Sequence, residues 1–148
     1  MRAPNTTPRR RLVCESLEDR VVPASNFWAV AAGVGMPGEV RLLEGDNAVR
    51  FAVTPFGAGF TGGVAAAVGD VTADGVPDLV TAAGVGGGPA VVVYDGATGT
   101  EFRRFYAFDP KFAGGLSVAV ADLNHDTYAD IVVGAGSGGG PAVKTYDG

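Results

Sequence analysis

The sequence predicts an all-β protein assembled from repeated antiparallel sheets, and three observations carry that prediction. Glycine supplies 24 of the 148 residues, a content that disfavours helices and fits many short strands joined by tight turns. The hydrophobic residues, 47% of the chain, fall in Ala- and Val-rich runs bounded by Gly, Pro or Asp rather than at helical spacing. A long segment also repeats: residues 62–96 realign without a gap on residues 114–148 at a constant offset of 52, with 19 identities in 35 positions.

The identities include Gly62/Gly114, Gly63/Gly115, Asp70/Asp122, Asp74/Asp126, Asp78/Asp130, the run Gly86-Gly87-Gly88-Pro89-Ala90-Val91, and Tyr94-Asp95-Gly96. An earlier, degraded copy begins near Trp28, where Ala31-Ala32-Gly33-Val34-Gly35 matches residues 82–86 and Glu44-Gly45 stands where Asp95-Gly96 would. Periods of about 40–50 residues with several strands each are the signature of β-propeller blades. The expected fold is therefore a partial β-propeller of about ten strands, in blades of four antiparallel strands.

Taken in order, residues 27–61 read as a degraded partial blade, with strands near 27–32, 38–44 and 49–55. Residues 62–113 read as a complete blade, with strands near 64–69, 78–83, 90–94 and 101–108. Residues 114–148 read as a second partial blade, with strands near 116–121, 130–135 and 142–146. A closed propeller takes about four to eight blades, so further blades or self-association are expected.

Residues 1–26 stand apart from this folded region, 27–148. They carry a charge of +2 against −7 for the remainder, and contain no apolar stretch of secretory-signal length. The expectation is a disordered basic leader. Leu17-Glu18-x-Arg20 followed by Val21-Val22-Pro23 resembles the short segments that open many large bacterial surface proteins, which implies a sorting role.

The segment between the first two strands of each full repeat carries the chemistry. Asp70, Thr72, Asp74 and Asp78 place oxygen-bearing side chains at positions one, three, five and nine, with Gly75 at six; the copy reads Asp122, Asn124, Asp126 and Asp130. Alternate oxygens on a tight loop converge, and Ca²⁺ takes six to eight oxygens at about 2.3–2.6 Å. Three carboxylates in nine residues also repel each other unless a cation neutralises them. An EF-hand would need Glu at position twelve, where Thr81 and Val133 stand, and each loop leads into an apolar strand. Ordinary Asp-Gly turn formation is the competing account; two copies at matched positions favour the cation.

The repeated D-x-[TN]-x-D-x-x-x-D pattern, followed by an apolar strand and a Gly-rich turn, resembles the FG-GAP repeat, the family of the integrin α-subunit propeller and many bacterial relatives. The resemblance covers residues 62–148 well and 27–61 loosely. It implies Ca²⁺ held by Asp70, Thr72, Asp74, the Val76 carbonyl and Asp78, and by Asp122, Asn124, Asp126, the Tyr128 carbonyl and Asp130. Thr72 departs from the usual Asp or Asn at position three, and Thr127 from Gly at position six.

Other features point away from catalysis. Gly84-Val85-Gly86-Gly87-Gly88-Pro89 and its copy lack the following helix and the Lys of a phosphate loop, and read as structural turns. The single histidine, His125, occupies an outward position of the second loop and reads as a solvated surface residue, and Cys14 is the only cysteine, so no internal disulfide is available and a Cys-His nucleophile would need those two residues to meet. Phe102, Phe105, Tyr106 and Phe108 read as outer-strand packing. Six Lys and Arg spread from Arg41 to Lys144 form no concentrated basic patch, which argues against nucleic acid. No apolar run reaches the length of a membrane span.

The functional expectation is a calcium-stabilised binding or adhesion module, secreted or at the cell surface, that recognises a protein or glycan and is not an enzyme. The alternatives are an accessory region of a longer extracellular enzyme and a structural array of the cell envelope.

Overall fold

The apolar runs form ten strands in a computed structural model that describes residues 26–148, and no helix occurs among the described residues. The first sheet joins β1 (Trp28–Ala31), β2 (Val40–Leu43) and β3 (Val49–Val53). The second joins β4 (Val64–Gly69), β5 (Asp78–Ala83), β6 (Ala90–Tyr94) and β7 (Glu101–Tyr106). The third joins β8 (Leu116–Ala121), β9 (Asp130–Ala135) and β10 (Val143–Tyr146).

Every pair of neighbours is antiparallel and consecutive in sequence, so each sheet is a simple meander. The expected strands at 64–69, 78–83, 90–94, 116–121 and 130–135 form with those bounds. The fourth strand of the second sheet stops at Tyr106 rather than at residue 108. Ala107 still donates to Pro89 O at 2.8 Å, but Asp109-Pro110 then turns the chain away, since proline offers no amide to a ladder. The leader expected over residues 1–26 falls, apart from Asn26, outside the described residues.

The sheets stack face to face in chain order, and the cores lie between them. Val40 and Leu42 of the first sheet meet Leu79, Val92 and Tyr94 of the second. On its other face the second sheet offers Val80, Ala82, Val91 and Val93 to Leu116, Ile131 and Val133 of the third. Because successive strand residues point to opposite faces, β5 and β6 must be apolar on both, and all their residues are buried. Thr81 fits there because its Oγ1 donates to Val92 O at 3.0 Å, satisfying a polar group that would otherwise be costly to bury.

Close approach of the strands is what the repeated glycines permit. Gly62 and Gly63 lead into β4; a Cβ on Gly62 would overlap the Val85 carbonyl oxygen, and Gly63, at φ +81°, lies against Val34 of the first sheet. Gly114 and Gly115 repeat this against Ser137 O and Val85. The Phe60 ring presses on Gly62 and Gly87, and the Phe112 ring on Gly114 and Gly139. Each ring has an edge partner, Phe56 at 5.6 Å and Phe108 at 5.9 Å. The Gly-rich turns are thus flattened to admit a phenylalanine plug.

Gly62→Ala should therefore cost about 1–3 kcal/mol of stability by forced overpacking, with a similar loss for Gly114→Ala. Urea unfolding of both variants measures this, and an unchanged midpoint in either would refute the close-approach account.

Candidate metal centre

Each candidate loop is set by the strands around it. In the first, Asp70 follows the end of β4 and Asp78 opens β5; in the second, Asp122 follows β8 and Asp130 opens β9. The two loops share one backbone form. Ala73 and His125, at position four, have φ of +55° and +64°, and Gly75 and Thr127, at position six, have +85° and +80°. Left-handed residues at four and six fold the loop back on its first aspartate.

The carboxylates are tied to backbone amides. Asp70 accepts from Asp74 N at 3.1 Å through Oδ1 and from Gly75 N at 2.8 Å through Oδ2, and Asp74 Oδ1 accepts from Val76 N at 2.8 Å. In the copy, Asp122 accepts from His125 N at 2.6 Å and Thr127 N at 3.2 Å, and Asp126 Oδ1 accepts from Tyr128 N at 2.9 Å. Asn124 Oδ1 accepts from Asp126 N at 3.1 Å, while its Nδ2 donates to Asp126 Oδ2 at 2.9 Å. The backbone N–H groups of Val76 and Tyr128 are therefore held by the same turns that hold the aspartates.

Asp78 is different in kind. It is fully buried, its Oδ2 accepts from Val71 N and Thr72 N at 2.9 Å each, and its Oδ1 accepts from Gly96 N at 2.8 Å. One carboxylate thus staples the start of the loop to the turn after β6. Burial raises its pKa above the usual carboxylate value, and the three backbone amides offset only part of that shift. Asp130 repeats the contact, accepting from Leu123 N at 2.9 Å.

The donor set is all oxygen, which suits a hard divalent cation such as Ca²⁺. An ionised carboxylate has about four acceptor positions; amides occupy two on Asp70, one on Asp74 and three on Asp78. The Thr72 hydroxyl oxygen is buried with no hydrogen-bond partner; it stands near enough to Asp78 to help lower that carboxyl's pKa, but the pair falls short of hydrogen-bond geometry. Asp70, Thr72 and Asp74 therefore keep oxygens free for a cation, while Asp78 has little capacity left. Among the described residues, no three His, Cys, Asp or Glu side chains converge as a metal-holding group. The loops bring the donors onto one turn, and backbone N–H dipoles supply the positive partners seen here.

The remaining sequence candidates fall as follows. His125 is exposed. Phe105 and Phe108 pack against the core between the second and third sheets, whereas Phe102 and Tyr106 are exposed, so the packing expectation holds for two of the four aromatics. The Phe60 and Phe112 plugs and the role of Gly96 were not singled out from sequence. Extending the offset of 52 upstream exposes the first pair, since Phe56 and Phe60 realign on Phe108 and Phe112.

Residues 70–133 match the family model described as an FG-GAP-like repeat. That segment is thus similar to an FG-GAP-like repeat, and it runs from the first carboxylate of one loop through the whole of the other.

Three variants test the geometry. Asp78→Ala leaves three amides unpaired, and should cost about 2–5 kcal/mol in chelator-treated protein, clearly more than Asp70→Ala; equal losses would refute the staple. Thr127→Gly relieves a β-branched residue at φ +80° and should stabilise by about 1 kcal/mol, the strain released less the entropy of glycine, as a raised urea midpoint.

Proposed function

We propose that the protein is a calcium-stabilised binding module of a secreted or surface protein, built as part of a β-propeller and acting on a protein or glycan partner without catalysing a reaction. The observation that carries this reading is the duplicated oxygen loop. The same spacing occurs twice, on the same backbone with left-handed residues at positions four and six, inside a segment matched to a repeat whose members are typically extracellular propeller binding modules.

Asp70, Thr72, Asp74 and the Val76 carbonyl would hold one ion, with Asp78 contributing any oxygen its amides leave free. Asp122, Asn124, Asp126, the Tyr128 carbonyl and Asp130 would hold the other. Bound Ca²⁺ supplies positive charge that neutralises the clustered carboxylates. The chain's own residues do the rest: positions four and six turn the loop, and Asp78 fixes its start against the neighbouring turn. No helix among the described residues is long and apolar enough to cross a membrane.

Calcium titration tests the reading. Extracellular modules bind with dissociation constants of about 10⁻⁴–10⁻³ M, so about 1 mM Ca²⁺ should stabilise by roughly 0.4–1.4 kcal/mol per site. Calorimetry should show two unequal sites, with Asp74→Asn and Asp126→Asn each abolishing one. Absence of both binding heat and any calcium-dependent melting shift would reduce the loops to amide-capped turns. A glycan array and a pull-down from surface extract then separate the two partner classes.

A further inference from the structure

A single peptide unit lies between the two candidate loops. The backbone N–H of Ala129, where the second loop runs into β9, donates to the backbone oxygen of Asp70, the first residue of the other loop, at 2.8 Å. The same peptide unit carries the Tyr128 carbonyl, one of the oxygens that would hold the second ion. The Tyr128–Ala129 peptide is trans, and in a trans peptide the C=O and N–H point in opposite directions. The Tyr128 oxygen is therefore turned away from Asp70, and the unit meets one loop at each end.

Both ends touch groups on which the loops depend. Asp70 closes the first loop, its carboxylate accepting from Asp74 N and Gly75 N at 3.1 and 2.8 Å. Two residues on, Thr72 keeps a buried hydroxyl oxygen with no partner, so an oxygen open to a cation stands just downstream of the contact. On the other side Asp130, next to Ala129, is buried and accepts from Leu123 N at 2.9 Å, which holds the peptide unit against its own loop. The contact is not a general property of the repeat. The corresponding unit of the first loop, Val76–Pro77, ends in proline and has no N–H to give.

We infer that the Tyr128–Ala129 peptide couples the two loops, so that Ca²⁺ held at one favours Ca²⁺ at the other. The coupling presupposes the calcium sites proposed above and makes them interdependent. With its oxygen engaged by a cation, the peptide unit is a stronger N–H donor, and a fixed peptide plane holds Asp70 where the first loop needs it. Linkage makes the effect reciprocal: order imposed on Asp70 strengthens the second loop by the same factor. Electrostatics acts in the opposite direction, since two bound cations repel. The sign of the effect therefore separates the two.

Calcium titration calorimetry of the full chain and of two variants tests it. Asp126→Asn empties the second loop, and the first should then bind with a dissociation constant roughly 2- to 10-fold higher, the range that one neutral hydrogen bond supplies. Asp74→Asn should weaken the second loop by the same factor. Loss of a divalent ion leaves the second loop more negative even with Asn at position 126, so electrostatics alone would tighten the first loop instead. An ester in place of the Tyr128–Ala129 amide removes the N–H and keeps the carbonyl. In that chain, shown by its melting curve to be folded, Asp126→Asn should leave first-loop affinity unchanged; if the ester chain does not fold, the reciprocal factor in the two point variants decides. Unchanged affinities in the point variants, a first loop that binds more tightly once the second is empty, or a linkage that survives the ester would each overturn the coupling and leave the calcium sites standing. Absence of binding at both loops would overturn the sites themselves, and the coupling with them.

Discussion

No sheet of this protein can bury both of its faces alone, and that constraint shapes the rest of the structure. The cores exist only between sheets, so the second sheet is apolar through and through while the first and third each bury one face. Stability in such an array is a sum of sheet terms and nearest-neighbour terms. The demand for contact also sets residue size. β4 packs against both β1 and β8, and its sequence, VAAAVG, is correspondingly small; its last residue, Gly69, faces the Val120 side chain with no space for a Cβ.

The same constraint accounts for how acidic loops sit at the edge of an apolar stack. Asp78 stands at the first position of a buried strand, where a side chain cannot reach water, and its charge is tolerated because three amides point at it. Those amides belong to a loop start and a turn that would themselves be unsatisfied otherwise, so carboxylate and backbone solve one another's burial. Asp70 and Asp74, nearer to solvent, close local turns and keep acceptor capacity in reserve. A loop that is already ordered by its own amides would bind a cation with little rearrangement, which is how a single oxygen pattern serves both turn formation and metal binding.

The strand pattern and the four-stranded second sheet were legible in the sequence because the repeat realigns without a gap and because buried strands read as continuous apolar runs. The placement of the two oxygen-bearing loops between strands was legible for the same reason. The partners of those oxygens were not. Gly96 reaches Asp78 across 18 residues, and nothing in a nine-residue motif announces a donor from the next turn. The Gly-rich turns were legible as turns, but the Phe60 and Phe112 rings that explain their flatness come from the segment before the repeat, outside the window that the strongest identities define. Phe102 and Phe105 look alike in sequence and separate only when β7 pairs with β6, leaving one in water and the other against Tyr146 at 4.6 Å.

Polar contacts run through the apolar stack and connect its parts. Arg50, on the outer strand of the first sheet, donates to Gly96 O at 2.6 Å, and Gly96 N is held by Asp78, which also holds the amides of Val71 and Thr72. At the start of that loop Asp70 O accepts from Ala129 N of the third sheet at 2.8 Å. The motif recurs one sheet later, where Arg103 of β7 donates to Asp147 O at 3.1 Å. Each arginine is on an outer strand, partly exposed, and would contribute little as a lone surface ion pair. Here it instead satisfies a turn carbonyl of the next sheet, fixing the spacing between sheets at the rim while the apolar residues fix it inside. The acidic loop is therefore a joint between three sheets, and ordering it, by amides or by a cation, acts on both interfaces at once.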